Sequence, residues 1–160
     1  MRDADFERLY EQEAPGLYGF LVYRTGDRAL AEDLLADTFE RALRSRKRFN
    51  RRRGSPKTWL YAIALNLLRD HARRSAAADR ALERTGPAAG AVAAPDDAVE
   101  HRDVIQRALA VLSPEEREAI ALRFGAELTV PEIAEALGEP LTTVEGRVYR
   151  ALRKLRTELD

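Results

Sequence analysis

Residues 129–155 read TVPEIAEALGEPLTTVEGRVYRALRKL. Thr129, followed three residues later by Glu132, forms a capping-box pattern that predicts the start of a short helix. Gly138 can adopt the positive φ that ends a helix abruptly. Apolar residues then recur at helical spacing through a longer, basic segment. A short helix, a tight turn and a longer basic helix are the layout of a helix-turn-helix.

The longer helix is predicted to begin at a further capping box, formed by Thr142 and Glu145. Its exposed early residues are placed to enter a DNA major groove and meet base edges. Arg147 has the forked donors that pair with guanine, and Glu145 can accept from a cytosine amine. Basic residues further along suit phosphates, which position a protein but carry no sequence information. The candidate DNA contacts are Thr142, Thr143, Glu145, Arg147, Arg150 and Lys154. The pattern alone leaves open a plain helical hairpin with a solvated basic face.

The remaining chain shows helical periodicity almost throughout, and no run alternates as a strand does. Ser113 with Glu116 predicts a further capped helix, whereas Pro15 is expected to interrupt the first one. Alanine, glycine and proline dominate the middle of the chain, which favours a flexible linker. The predicted fold is all-α, with two small helical domains and the helix-turn-helix in the second. The predicted boundaries are residues 1–75, a linker at 76–98, and residues 99–160.

Basic residues are concentrated in two stretches, although the net charge of the chain is zero. Residues 41–57 hold nine basic residues and no acid, and residues 147–156 hold five and no acid. Such patches are the electrostatic footprint of phosphate binding. Each predicted domain contains one of them.

Several functional classes are disfavoured by composition. The chain has no cysteine, so it has no disulfide or thiol nucleophile. His71 and His101 are far apart and lack metal-ligand spacing, so we expect no metal, no cofactor and no enzymatic activity. The longest strongly apolar stretch, residues 59–68, is too short to cross a bilayer. These features predict a cytoplasmic protein that does not insert into membranes.

A basic loop followed by an aromatic helix marks the first domain. Ser55 is expected to cap this helix, with proline at its first position. Cations track phosphates and aromatic faces accept unstacked bases, so the composition suits opened DNA. Trp59 falls at helical spacing and is interpreted as mainly structural, with partial exposure. The candidate contacts are Phe49, Asn50, Arg51, Arg52, Arg53, Ser55, Lys57, Trp59, Tyr61, Asn66 and Arg69.

An acidic helix face precedes this loop and carries Asp33, Asp37 and Glu40. Charge runs on helices are usually solvated, and periodicity alone favours that interpretation over a partner-binding site.

Five segments together resemble the extracytoplasmic-function sigma factors. They are AEDLLADTFERA at 31–42, TWLYAIALN at 58–66, LSPEER at 112–117, EIAEALG at 132–138 and TVEGRVYRA at 143–151. The resemblance implies a sigma factor that directs core RNA polymerase to specific promoters and assists their melting. It places Asp33, Asp37 and Glu40 against the polymerase. It also implies an anti-sigma factor as a further partner.

The resemblance implies DNA roles for both domains. The loop at 49–55 would capture a flipped base of the minus-ten element, with Asn66 and Arg69 along the same strand. The second domain would read the minus-thirty-five element. Glu145 and Gly146 stand where many relatives have a basic residue and serine, so the upstream preference cannot be copied from relatives.

One alternative is a helix-turn-helix regulator whose amino-terminal helices dimerise or sense a ligand. It predicts a symmetric dimer, palindromic DNA sites and no affinity for core polymerase.

Overall fold

The structure, a computed structural model, describes the backbone of residues 1–81 and 99–160. Side chains are described for residues 1–78, 104 and 106–160. Across these ranges every regular element is helical and no β-strand occurs, which confirms the all-α prediction. No helix in the described ranges has the length and hydropathy that a bilayer span needs.

The chain divides into two compact units, Met1–Val92 and Ala93–Asp160. Most of the linker predicted at residues 76–98 lies outside the described residues. Its first residues are helical, because the helix that begins at Pro56 continues to Ala81.

Among the described residues, the first unit contains three α-helices, α1 (Asp3–Thr25), α2 (Arg28–Ser45) and α3 (Pro56–Ala81), and a short 3-10 helix at Arg46–Arg48. The interruption expected at Pro15 was wrong, because α1 is continuous through it. Proline removes one backbone hydrogen bond, but α1 buries side chains on both sides of Pro15, among them Leu9 and Leu17. Packing of one continuous face therefore outweighs the local preference for a break.

The core of this unit is built where the three helices meet. Each helix packs against the other two. The largest fully buried apolar side chains are Leu17, Leu21, Leu60, Tyr61 and Leu65.

In residues 99–160, the part of it that the structure describes, the second unit contains four α-helices and a π-helical turn. They are α4 (Val99–Ala110), α5 (Pro114–Ile120), the turn Ala121–Gly125, α6 (Val130–Leu137) and α7 (Leu141–Leu159). Helix α7 packs against α4, α5 and α6, so it is the central element of this unit.

Two predicted capping boxes are confirmed. The Ser113 and Thr129 hydroxyls accept from the N–H groups of Glu116 and Glu132, whose carboxylates accept in return. Gly138 ends α6 with φ of 67°, as the turn requires.

The third predicted box, formed by Thr142 and Glu145, is absent. Helix α7 begins at Leu141, and its N-cap is Pro140, two residues before Thr142, without a side-chain bond. The Pro140 carbonyl accepts from the N–H groups of Thr143 and Val144, at 3.1 and 3.3 Å. The fixed φ of proline suits the residue that precedes a helix. The helix therefore starts after Pro140 with backbone hydrogen bonds, and not at Thr142 with a side-chain cap.

Candidate nucleic-acid and protein interfaces

The acidic row consists of Asp33, Asp37 and Glu40, spaced four and three residues apart on α2. All three are exposed, while the opposite face of α2 is buried against its neighbours. Arg44 forms an ion pair with Glu40 at 2.5 Å, so Asp33 and Asp37 carry most of the charge that a partner would meet. The acidic row is therefore an exposed anionic stripe. The buried face of α2 fixes the position of this helix in the unit.

The basic loop, residues 47–54, has a shape set by Asn50. The side-chain oxygen of Asn50 accepts from the Arg52 N–H, and its carbonyl accepts from the Arg53 N–H, both at 3.0 Å. These bonds close a turn that leaves the side chains of Arg51, Arg52 and Arg53 exposed. Asn50 was predicted to contact DNA. In the structure, its side-chain oxygen and its carbonyl stabilise the turn that exposes the three arginines.

The start of α3 joins the basic loop to the aromatic residues. The Ser55 hydroxyl accepts from the Thr58 N–H at 3.1 Å, which confirms the predicted cap. The rings of Phe49 and Trp59 lie 5.2 Å apart between centroids and are tilted by 55°. Both rings are half-buried, so each packs on the unit and also presents a surface beside the exposed arginines.

The other candidates in this unit differ in exposure. Asn66 and Arg69 are exposed on α3, and Lys57 is half-buried. Tyr61 was predicted to contact DNA, but it is only 1% exposed and lies in the core. Its ring stands edge-on to Phe20 with centroids 5.9 Å apart. Burial, with a smaller effect of the Glu13 charge, raises the pKa of the Tyr61 hydroxyl.

Truncating Tyr61 tests this structural role. We expect Tyr61→Ala to cost about 3–5 kcal/mol of unfolding free energy, because it opens a cavity in the core. The single tryptophan, Trp59, lies in the same unit, so its fluorescence during urea unfolding reports the loss. Tyr61→Phe should retain binding to opened DNA. Lost DNA binding in a stable Tyr61→Phe variant would restore Tyr61 as a contact.

The exposed face of α7 carries polar and aromatic residues at its beginning. Thr142, Thr143 and Glu145 are exposed, opposite the buried Val144 and Val148. The predicted residues therefore lie on the solvent side.

Tyr149 was missed by the sequence prediction although it is 62% exposed on this face. The guanidinium of Arg153 lies 5.9 Å from its ring centroid. Tyr149 lies four residues after Glu145, so helical spacing alone places both on the same face of α7. That spacing could have identified Tyr149 as a candidate DNA contact. The side chain of Arg150 lies over Gly146, where an added Cβ would come within 3.1 Å of its Nη1.

Two predicted DNA contacts on α7 are engaged in ion pairs within the unit. Arg147 meets Glu139 at 2.8 Å, and only 14% of its side chain is exposed. Lys154 meets Glu116 at 2.7 Å, and Glu116 is almost fully buried. Glu116 also accepts from the Ser113 N–H at 2.8 Å. These cations therefore help to hold α7 in its unit.

The Glu116 site predicts a pH dependence of stability. The Lys154 bond, followed by the Ser113 N–H bond, lowers the pKa of Glu116 below its ordinary value of 4.5. The folded state therefore releases this proton more readily than the unfolded state does. The resulting stability is fully present above pH 4.5 and is lost as pH falls through the lowered folded pKa.

Glu116→Gln should remove this acid-sensitive contribution and cost about 1.5–3 kcal/mol at neutral pH, since it breaks buried bonds to a charge. Urea unfolding followed by circular dichroism measures the loss. Glu115→Gln, at an exposed neighbouring position, serves as the control. An identical acid profile in wild type and Glu116→Gln would contradict the prediction.

Among the described residues, no three His, Asp or Glu side chains lie close enough together to hold a metal ion.

Family models cover most of the chain. Residues 9–78 match the model described as Sigma-70 region 2, and residues 102–155 match the one described as Sigma-70, region 4. The two matches correspond to the two units.

Two curated relatives are similar over most of this chain. The ECF RNA polymerase sigma factor BldN of Streptomyces coelicolor is 35% identical over 94% of this chain and 58% of its own length. The RNA polymerase sigma factor CarQ of Myxococcus xanthus is 37% identical over 94% of this chain and 87% of its own. The chain thus spans somewhat over half of BldN and most of CarQ.

Two solved structures are similar in fold. The sigma factor RpoE in complex with the anti-sigma factor NepR, from Bartonella quintana, has a TM-score of 0.82 and 26% identity, covering 97% of this chain and 96% of RpoE. CnrH in complex with the cytosolic domain of CnrY has a TM-score of 0.68 and 25% identity, covering 99% of this chain and 90% of CnrH.

Proposed function

This chain belongs to the extracytoplasmic-function sigma factors, a family of transcription initiation factors, and on that premise we propose which of its surfaces carry out promoter recognition. The acidic row binds core RNA polymerase, the basic loop and α3 bind the minus-ten element, and the exposed face of α7 binds the minus-thirty-five element. The observation that carries this proposal is the separation of charge in the first unit. An anionic stripe on α2 and a cationic loop before α3 are both exposed on one small core.

Polymerase binding is assigned to the acidic row because its carboxylates suit a basic protein surface. Such complementarity steers encounter and fixes the register of the complex. Asp33 and Asp37 are the main contributors, since Arg44 partly neutralises Glu40.

Minus-ten recognition combines charge with stacking. Arg51, Arg52 and Arg53 attract the phosphates of the opened strand. The Phe49–Trp59 pair lies beside them and offers an aromatic surface on which an unstacked base can rest. Exposed Asn66 and Arg69 extend the contact along α3.

Minus-thirty-five recognition is assigned to the start of α7, which enters the major groove. Thr142, Thr143, Glu145 and Tyr149 project from its exposed face. Glu145 accepts from a cytosine amine, and Arg150 supplies a cation on the same side. Because both units belong to one chain, the second promoter contact is effectively intramolecular, and neither unit needs to bind tightly alone.

Regulation by an anti-sigma factor is part of the proposal. The RpoE structure contains a protein named as an anti-sigma factor. The acidic row and the basic loop are exposed in this chain and are the surfaces that such an inhibitor would cover.

The test is transcription from a promoter library by core polymerase with and without this chain. We expect chain-dependent transcripts that share two upstream elements at a constant spacing. A regulator of the alternative kind would instead bind palindromic DNA as a dimer without core enzyme. Absence of core binding and of chain-dependent transcripts would refute the proposal.

A further inference from the structure

The five basic residues between 147 and 156 fall into two groups. Arg150, Arg153 and Arg156 are exposed. Arg147 and Lys154 are bound to carboxylates from other elements of the unit. The two bound cations are seven residues apart, about two helical turns, so they lie on the same side of α7.

Glu139, the acid that holds Arg147, is positioned by the turn before α7. It follows Gly138, whose left-handed conformation ends α6. The backbone N–H of Glu139 donates to the Ala134 carbonyl at 3.0 Å. Its carboxylate is therefore presented from a defined backbone position rather than from a free loop.

The Glu139–Arg147 pair is largely removed from solvent. The side chains are 30% and 14% exposed, and Oε2 of Glu139 lies 2.8 Å from a guanidinium nitrogen of Arg147. Lower exposure strengthens the attraction relative to a fully exposed pair. With one nitrogen bound to Glu139 and only 14% of the side chain exposed, this guanidinium offers a phosphate little surface unless the pair breaks.

We propose that Glu139 is a positioning residue for the upstream contact, holding Arg147 in the α6–α7 turn and so keeping this cation out of the sequence-independent phosphate contacts. The inference rests on the proposed binding of the minus-thirty-five element by α7. This role of the Glu139–Arg147 pair replaces the contact to guanine that was predicted for Arg147 from the sequence. The exposed face of α7 is then left to read the bases, and Glu139 limits the affinity for DNA of any sequence.

The experiment measures how DNA affinity depends on salt. Holoenzyme made with the full chain is titrated with a library-selected promoter whose upstream element has been scrambled. Glu139→Gln keeps the size of the side chain but removes the charge that holds Arg147. The released cation should steepen the slope of log K against log salt by about 0.9, and raise affinity roughly three- to eightfold at 0.1 M salt. Glu135→Gln removes a carboxylate from an exposed position on α6 and should leave the slope unchanged.

A second variant separates release of Arg147 from a general effect of charge. Arg147→Gln alone should leave the slope unchanged, and in that background Glu139→Gln should have no further effect. The inference is overturned if Glu139→Gln leaves the slope unchanged. It is also overturned if its effect persists without Arg147, or if Arg147→Gln alone lowers the slope. Arg147→Gln is informative even if Glu139→Gln folds poorly, which a thermal melt detects.

Failure of the broader proposal has a different signature. If wild-type holoenzyme shows no chain-dependent promoter binding, the proposed function fails. If wild type binds and the slopes do not change as expected, only the role of Glu139 fails.

Discussion

Replacing Asp33 and Asp37 with lysine is expected to lower the affinity for core RNA polymerase at least about 100-fold. Reversing two charges at an interface replaces attraction by repulsion, and disrupting even one buried charge pair costs about 2–5 kcal/mol. Both residues are exposed, so the fold should be unaffected. Affinity is measured by titrating labelled chain with core enzyme, and unfolding by Trp59 fluorescence.

A matched control is available on the neighbouring helix. Glu7 and Glu11 are exposed acids four residues apart on α1, as Asp33 and Asp37 are on α2. Lysine at both α1 positions makes the same charge change and should reduce core affinity only slightly. An equal loss in the two double variants would show that net charge, and not the acidic row, determines binding.

Replacing Arg51, Arg52 and Arg53 together with glutamine should strongly weaken binding to the opened promoter. Each cation that contacts a single strand contributes about 0.7 to the slope of log K against log salt. The triple variant should therefore lose about 2 in slope and roughly 100-fold in affinity at 0.1 M salt. Asn50 closes the turn through backbone groups of the loop, so the loop should keep its shape. Binding to a promoter with a pre-opened bubble gives the slope.

The control removes exposed cations from another part of the first unit. Arg73 and Arg74 lie near the carboxyl end of α3 and are exposed. Glutamine at these two positions should change the slope by much less than the loop variant does. A triple variant with wild-type slope would exclude the basic loop from the strand contact, while leaving the assignment of the acidic row intact.

Features that depend on neighbours three or four residues apart were predictable from the sequence. The Ser113–Glu116 and Thr129–Glu132 capping boxes and the left-handed Gly138 follow from local hydrogen bonding and sterics. The exposure of the acidic row follows from helical period, because the apolar stripe of α2 must face the core. These interactions form within one helical turn, so the order of residues specifies them.

Features that depend on which side chains meet in the folded unit were decided by tertiary packing. Pro15 lies inside a continuous helix because a shared core covers α1 on both sides of it. Tyr61 is an aromatic residue of the kind that can stack on a base, but its side chain lies in the core of its unit. Arg147 and Lys154 were predicted to contact a DNA base and a phosphate, yet their partners Glu139 and Glu116 are eight and 38 residues away. Periodicity assigns a residue to a face of its own helix and contains no information about what lies opposite, so burial and ion pairing between distant residues become known only once the helices are packed.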